Sequence, residues 1–377
     1  MRVLLLSGYD AASHKRWRQA LAEYLPECEF TQLALAPRFF SWRIRGSSLT
    51  FASLKTAALE AEYDLLICTS MVDLSSLRGM VPKLAKLPTI LYCHENQFDY
   101  PTNHQQHSSI EPQIVTLYSS ICADRVVFNS EFNRQGFLAG AHKLLKKLPD
   151  GVDLTLVESV RAKSQVLPVP LENNLFNQCV KSKKTALSMP AKIVWNHRWE
   201  YDKNPELLYR ALQHLLSDDN PHPAFQLHLI GQQFRQKPAV FDKIKSLLES
   251  YHCLGELGYI ESHKQYMNIL QQSDIVLSTA DHDFQGLSVL EAVALGCSPL
   301  LPRHQVYPEI LGEDFCYPVT GNLERDSQTL ADQLRARLNE YVSGRLADAP
   351  DLSHLSWGYL AQGYRQLLTG TIEQFYT

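Results

Sequence analysis

The 377-residue chain has eight cysteines and no CxxC pair: they stand at 28, 68, 93, 122, 179, 253, 297 and 316, never closer than 19 positions. That scatter argues against zinc ribbons and against a disulfide framework, so reduced thiols and a cytoplasmic setting are the expectation. No apolar run approaches the ~20 residues of a membrane helix. Residues 3–6, the only apolar stretch before the polar Ser7-Gly8-Tyr9-Asp10, are too few for a secretory leader. Excess charge is missing as well. With 36 Lys and Arg against 40 Asp and Glu, the formal net charge is −4, and no global field draws nucleic acid or an anionic bilayer to the protein. Any polyanion must be held by a local patch. A Walker-A loop occurs nowhere, and the turn after the first apolar run reads Gly8-Tyr9-Asp10-Ala11-Ala12 rather than GxGxxG, which disfavours P-loop NTPases and simple NAD enzymes. Internal repeats and low-complexity tracts are also wanting.

What is there is ordinary soluble composition, 45% hydrophobic and 20% charged, over a length that suggests two domains. Short apolar runs at 3–6, 30–35, 64–68, 89–92 and 125–128 alternate with amphipathic stretches such as 13–24. A second series begins after residue 190, with strand-like 192–195, 226–230, 275–278 and 299–301 separated by helical 205–215, 262–272 and 288–295. Such βα alternation predicts parallel sheets covered on both faces, hence an α/β chain with two Rossmann-like domains. Leu167-Pro168-Val169-Pro170 and the polar 173–184 region keep neither period and read as the linker. Ser262 with Gln265 forms a capping-box pattern, and Gly296 stands where a helix ends. Trp357, Leu360, Tyr364, Leu367 and Leu368 recur at helical spacing and predict a packed terminal helix.

In an open α/β sheet, ligands bind beyond the carboxyl ends of the strands, and three such places are chemically rich. Asp281-His282-Asp283-Phe284-Gln285-Gly286-Leu287-Ser288 precedes a helix carrying Glu291. A glycine at a helix N-terminus exposes backbone N–H groups to a diphosphate, and carboxylates at 283 and 291 can accept from sugar hydroxyls. The same acids serve equally as a helix cap and dipole partners, and Asp281-His282-Asp283 imitates a DxD metal motif without a further ligand set. Trp195-Asn196-His197-Arg198-Trp199-Glu200-Tyr201-Asp202-Lys203 supplies an arginine fork and a lysine suited to neutralising a leaving diphosphate, or else a solvated loop paired within itself. Tyr92-Cys93-His94-Glu95-Asn96-Gln97 offers a proton acceptor and polyol-binding groups, or a structural histidine; His104 and His107 follow without other metal-ligating company. Weaker clusters are Ser13-His14-Lys15-Arg16-Trp17-Arg18 and Arg38-Phe39-Phe40-Ser41-Trp42-Arg43-Ile44-Arg45-Gly46, in which cations for phosphates interleave with rings for bases. A charged helix face and an aromatic loop anchor would explain them as well.

Together these segments resemble the retaining GT-B glycosyltransferases: the Asp283 to Glu291 segment looks like their E-x7-E signature, and Arg198 with Lys203 like their diphosphate pair. His14-Lys15, Trp42-Arg43-Ile44-Arg45, His94-Glu95-Asn96-Gln97, Phe128-Asn129-Ser130 with Phe132-Asn133, His197-Arg198-Trp199-Glu200 with Asp202-Lys203, and Val306-Tyr307-Pro308-Glu309-Ile310 narrow the resemblance to the tRNA-queuosine mannosyltransferase family. It implies an acceptor domain over 1–168, a linker at 169–190, a nucleotide-sugar donor domain over 191–354, and a helix at 355–377 that packs back on the first domain. The domains would face a cleft. It further implies mannose transfer from GDP-mannose to the cyclopentene diol of queuosine at the tRNA wobble position, without a metal or other cofactor, stable membrane association or a protein partner. Catalytic roles would fall to His94, Arg198, Lys203, Asp283 and Glu291, and donor binding to Arg198, Lys203, Gly286, Leu287, Ser288 and Glu291. Acceptor binding would fall to Ser13, His14, Trp42, Arg43, Arg45, Glu95 and Asn96.

Two departures stand out: the first acid is Asp283 where the wider family has glutamate, and Ala11-Ala12 replaces a glycine pair. The near-neutral charge also requires Lys15, Arg16, Arg18, Arg38, Arg43, Arg45, Lys143, Lys146 and Lys147 to gather on one face for tRNA. Two alternatives remain: a transferase acting on a lipid or envelope glycan, docking through the short basic stretch 141–148, and a non-catalytic RNA-binding protein on a transferase fold.

Overall fold

Strands apolar on both faces must be covered on both, and the chain obeys this twice. The computed structural model describes residues 1–100, 109–149, 151–178, 190–217, 222–233 and 237–377. Its contacts divide it into two compact units, Met1–Pro170 with Trp357–Thr377, and Leu171–Ser356.

The first unit is a six-stranded parallel sheet of β1 (Arg2–Ser7), β2 (Glu29–Ala34), β3 (Leu65–Thr69), β4 (Thr89–Cys93), β5 (Arg125–Phe128) and β6 (Ser164–Val166), in the order β2-β1-β3-β4-β5-β6. Val3, Leu4, Leu5 and Leu6 of β1 are wholly buried, as are Leu65 and Leu66 of β3. The terminal helix Trp357–Tyr376 joins this unit through Tyr364, whose Oη accepts from Trp17 Nε1 at 3.0 Å and donates to the Pro168 carbonyl at 3.0 Å.

The second unit repeats the plan with β7 (Ala191–Trp195), β8 (Phe225–Ile230), β9 (Leu254–Gly258), β10 (Ile275–Leu277), β11 (Ser298–Pro302) and β12 (Cys316–Tyr317), all parallel, ordered β12-β11-β10-β7-β8-β9. This is the Rossmann order, in which the first and fourth strands of the unit lie side by side and the chain winds outward from them in both directions. Helices Pro205–Leu215 and Leu323–Val342 cover one face over a core that includes Ile193, Trp195, Leu208, Leu212, Leu227, Leu330 and Leu334.

Several elements differ from the pattern reading. Strand β10 ends at Leu277, one residue early, and the hydroxyl of the next residue, Ser278, lies 2.9 Å from His197 Nε2. The short strands β6, β9 and β12 escape periodicity because three or fewer residues, or two glycines in LGELG, carry little of it. Within the expected linker 169–190 the two units divide between Pro170 and Leu171, and helix Asn173–Gln178 belongs to the second; residues 179–189, and with them Cys179, lie outside the described residues. So do His104 and His107. The aromatic segment 38–46 is no loop: helix Phe40–Leu54 starts inside it. Ala141 and Leu145 of the basic stretch 141–148 are buried in helix Glu131–Leu145 and its packing, so that stretch offers no free apolar face to a bilayer. The seven described cysteines are free, and burial pushes the Cys68 thiol up to about 12.

Candidate active site

The strand order of the second unit puts the loops after β7 and β10 beside each other, at the point where the winding direction reverses and a crevice opens. The two chemically rich segments of that unit are these two loops. After β7, Asn196, His197 and Arg198 leave the sheet, and Trp199 stacks on Phe241 with centroids 4.3 Å apart. A 3-10 turn at Tyr201–Lys203 then leads to Asn204, which takes a left-handed φ of 47° and caps helix Pro205–Leu215 through Leu207 N–H at 3.1 Å. Asn204 also donates to Asp281 Oδ1 at 2.9 Å, tying the two loops together.

Lys203 sits at the junction. Its ammonium donates to the His282 carbonyl at 2.5 Å and to Asp283 Oδ1 at 2.9 Å, and pairs with Asp202 Oδ2 at 3.1 Å. Those three partners match its three N–H donors. Burial opposes charge on Lys203, yet the carboxylates of Asp283 and Asp202 outweigh it and hold the ammonium above its ordinary value. Burial likewise opposes the Asp283 anion, but Lys203, His197 and the Tyr307 hydroxyl pull it down to about 2. Tyr307 donates to Asp283 Oδ2 at 2.5 Å and lies 3.1 Å from Ser278 Oγ, which is 2.9 Å from His197 Nε2. Burial pushes His197 down to about 4, so its ring is neutral at physiological pH.

A second group surrounds Glu291. Its Oε2 accepts from Tyr266 Oη at 3.0 Å, and Asn196 Nδ2 reaches both that hydroxyl, at 3.2 Å, and the Ser288 carbonyl, at 2.7 Å. Helix Leu287–Ala294 begins at Gly286, where φ is 71° and an added Cβ would stand 3.0 Å from the Tyr307 ring. The turn therefore needs glycine twice over, for its backbone angle and for its packing. Arg198 is the exposed member, paired with Glu200 and, at 3.5 Å, with Asp202. Asp283, Lys203, Gly286, Leu287, Ser288 and Glu291 thus fall on two adjoining loops and one helix. Chemically the group presents an ionised carboxylate, an exposed guanidinium and a helix N-terminus, which suits polyols and an anion. Among the described residues no three His, Cys, Asp or Glu side chains converge as a metal-ligating group.

In the first unit, His94 follows β4 and is packed rather than exposed: it stacks on His14 at 4.0 Å and meets Trp17 edge-on at 4.7 Å. Its Nε2 is buried without a hydrogen-bond partner among the described residues. Burial, helped by His14, holds its pKa well below the usual histidine range. His14 Nδ1 lies 2.9 Å from the Tyr9 carbonyl. Glu95 is half-buried beside it and Ser13 half-buried at the start of helix Ala12–Tyr24. Asn96 is engaged internally: its Oδ1 accepts from Phe98 and Asp99 N–H, and its Nδ2 donates to Asn133 Oδ1 at 2.9 Å. Asn133 in turn donates to the Cys93 carbonyl at 3.0 Å, which explains the Phe128 to Asn133 motif as the clasp of this turn. The basic set divides by partner and exposure. Arg18 binds Asp10, Arg45 binds Asp73 and Glu111, and Arg43 is buried, while Lys15, Arg16, Arg38 and Trp42 are exposed.

A family model described as tRNA-queuosine alpha-mannosyltransferase N-terminal matches residues 2–171, and one described as Glycosyl transferases group 1 matches residues 180–349. A curated relative from Drosophila melanogaster, named tRNA-queuosine alpha-mannosyltransferase, is 33% identical over 86% of this chain and 85% of its own. The chain belongs to the tRNA-queuosine alpha-mannosyltransferase family. Solved glycosyltransferases share its fold. Sucrose-phosphate synthase from Thermosynechococcus elongatus is similar at a TM-score of 0.67 and 15% identity, over 98% of this chain and 100% of that one. An E. coli structure described as trehalose-6-phosphate bound with UDP-2-fluoro glucose reaches 0.63 at 14%, over 99% and 96%. With two all-parallel Rossmann-like units, this member of the tRNA-queuosine alpha-mannosyltransferase family is a GT-B glycosyltransferase.

The departures within this member of the tRNA-queuosine alpha-mannosyltransferase family now have local explanations. Ala11 takes φ −59°, open to any residue, so no glycine is needed before helix Ala12–Tyr24. Asp283, a methylene shorter than glutamate, is met by Tyr307 and Lys203 and needs no longer reach. Pattern reading missed His197, Ser278, Tyr266 and Tyr307 as parts of the group. Val306-Tyr307-Pro308-Glu309 signalled Tyr307 only as a motif, because its partner Asp283 is 24 positions away.

Proposed function

We propose that this protein transfers mannose from GDP-mannose to the cyclopentene diol of queuosine at the wobble position of tRNA, with retention of anomeric configuration. Family membership carries the acceptor, and the Asp283–Lys203–Tyr307 group at the Rossmann crevice supports the donor side. The ionised Asp283 would accept from hydroxyls of the transferred sugar, and Glu291 from ribose hydroxyls. The helix starting after Gly286 and the exposed Arg198 would hold the diphosphate. Lys203 is engaged by Asp202 and Asp283, so its charge reaches a diphosphate only in competition with them; it also serves by keeping Asp283 anionic and aimed.

In the reaction the anomeric carbon–oxygen bond breaks with its electrons going to the departing diphosphate. The acceptor hydroxyl forms the new bond on the same face and gives its proton to that diphosphate oxygen. No carboxylate is needed as a covalent nucleophile, unlike a retaining hydrolase. No metal enters the scheme, and the neutral His94 would orient a hydroxyl rather than carry a proton.

The test is transfer of radiolabel from GDP-mannose to matched tRNA preparations with and without queuosine, with EDTA in a parallel reaction. Label on the queuosine-containing tRNA alone, unaffected by EDTA, is the expected result. Label on neither, with GDP-mannose still bound, would move the search to another acceptor; no binding would overturn the donor.

A further inference from the structure

Loops that follow parallel strands emerge at one edge of a sheet, so in the first unit the segment after β2 shares an edge with His14 and His94. On that edge stand two exposed aromatic rings. Phe39 is 68% exposed at a left-handed φ of 58°, and Trp42, in the first turn of helix Phe40–Leu54, is 52% exposed. We propose that Phe39 and Trp42 form a stacking platform for unpaired nucleobases of the RNA loop that carries the acceptor, a proposal that rests on the tRNA reading above.

The indole of Trp42 is built to stay in place. A Cβ on Gly46 would stand 2.2 Å from Trp42 Cε2, so the indole lies directly on the helix turn and keeps its outer face open. Phe40, which follows Phe39 in the chain, meets Tyr9 edge-on at 5.8 Å and packs on the Ile44, Met71 and Val115 cluster. A ring already fixed by packing loses little rotamer freedom when a base stacks on it. Arg38 holds its guanidinium over one face of Phe39, 5.6 Å from the centroid, which leaves the other face for a base and adds a charge for a phosphate. Lys15 and Arg16, also exposed, begin the helix after β1 on the same edge. Asp73 and Glu111 hold Arg45, which lowers the positive charge an anionic bilayer would need, whereas stacking requires open rings. Single-stranded loops are what proteins read by splaying bases onto such rings.

Trp42 supplies its own probe. The other four tryptophans, Trp17, Trp195, Trp199 and Trp357, are no more than 2% exposed, so red-shifted, acrylamide-accessible emission is expected from Trp42 alone. A synthetic anticodon stem-loop RNA is expected to quench that emission and protect it from acrylamide, and a fully duplex RNA of equal length to do neither. Trp42→Ala should weaken stem-loop binding roughly tenfold, as should Phe39→Ser, while Trp42→Phe restores affinity and removes the signal. Equal quenching by the duplex, or wild-type stem-loop affinity in Trp42→Ala, would overturn the platform. A blue shift on phosphatidylserine vesicles with no response to RNA would overturn it in favour of a membrane face. If the stem-loop binds through Trp42 while no sugar reaches queuosine tRNA, the platform stands and the transferase reading fails.

Discussion

Asp283 and Lys203 illustrate how one buried ion pair can both stabilise and equip a site. Neither charge would persist alone at this depth, since desolvation of a single ion costs several kcal/mol. Lys203→Ala leaves Asp202 and Asp283 unopposed and should lower stability by about 3–5 kcal/mol, read as a lowered Tm. Turnover should be lost and stem-loop RNA affinity unchanged, because the RNA platform lies on the other unit. Turnover surviving in Lys203→Ala would refute the donor-site assignment. His197 and Ser278 extend the same chain of contacts to Tyr307, so Tyr307→Phe should reduce turnover more than it reduces Tm, since it removes a hydrogen bond to the Asp283 anion.

At the level of elements, the turn after β4 is held by side chains rather than by its own backbone. Asn133 reaches from helix Glu131–Leu145 to the Cys93 carbonyl and to Asn96 and Asn129. Asn133→Ala strands those buried partners and should cost about 2–3 kcal/mol, lowering Tm by several degrees in a domain of this size. A thermal melt indistinguishable from wild type would show that water replaces the clasp. The terminal helix is held in the same manner. Tyr364→Phe deprives Trp17 Nε1 and the Pro168 carbonyl of their partner and should cost about 1–3 kcal/mol, a loss measurable by chemical denaturation. This part of the fold was legible only as a helical stripe of Trp357, Tyr364, Leu367 and Leu368; that the stripe covers the first unit depends on a residue 347 positions earlier.

For the whole molecule, the buried histidines set the response to acid. Burial lowers His197 and His282 to about 4 and His94 well below its ordinary value, so all three fold as neutral rings. Their unfolded value is about 6.5, so protonation below that pH favours the unfolded chain. The stability they contribute is present above about pH 6.5 and is lost as pH falls from there toward about 4 for His197 and His282. Asp283 adds a loss only further down, between its unfolded value and about 2. Tm should therefore fall steeply between pH 6.5 and 4.5, and His197→Gln should flatten that slope relative to its own Tm at pH 8. A Tm flat over this interval would place the buried rings in contact with water.

The local sequence by itself determined the alternation of strands and helices, the helix starts at Pro205 and Ser262, and the clustering of chemistry after strands, because periodicity, caps and turn residues act over a few positions. It also carried the family motifs. Tertiary structure alone decided the strand order that brings the loops after β7 and β10 together, since a parallel strand can pair with any other of like pattern. The same holds for Lys203, whose partner Asp283 is 80 positions away, for Asn96, turned inward by Asn133, and for Arg45, held at the surface by Asp73, residues that no local pattern connects to them.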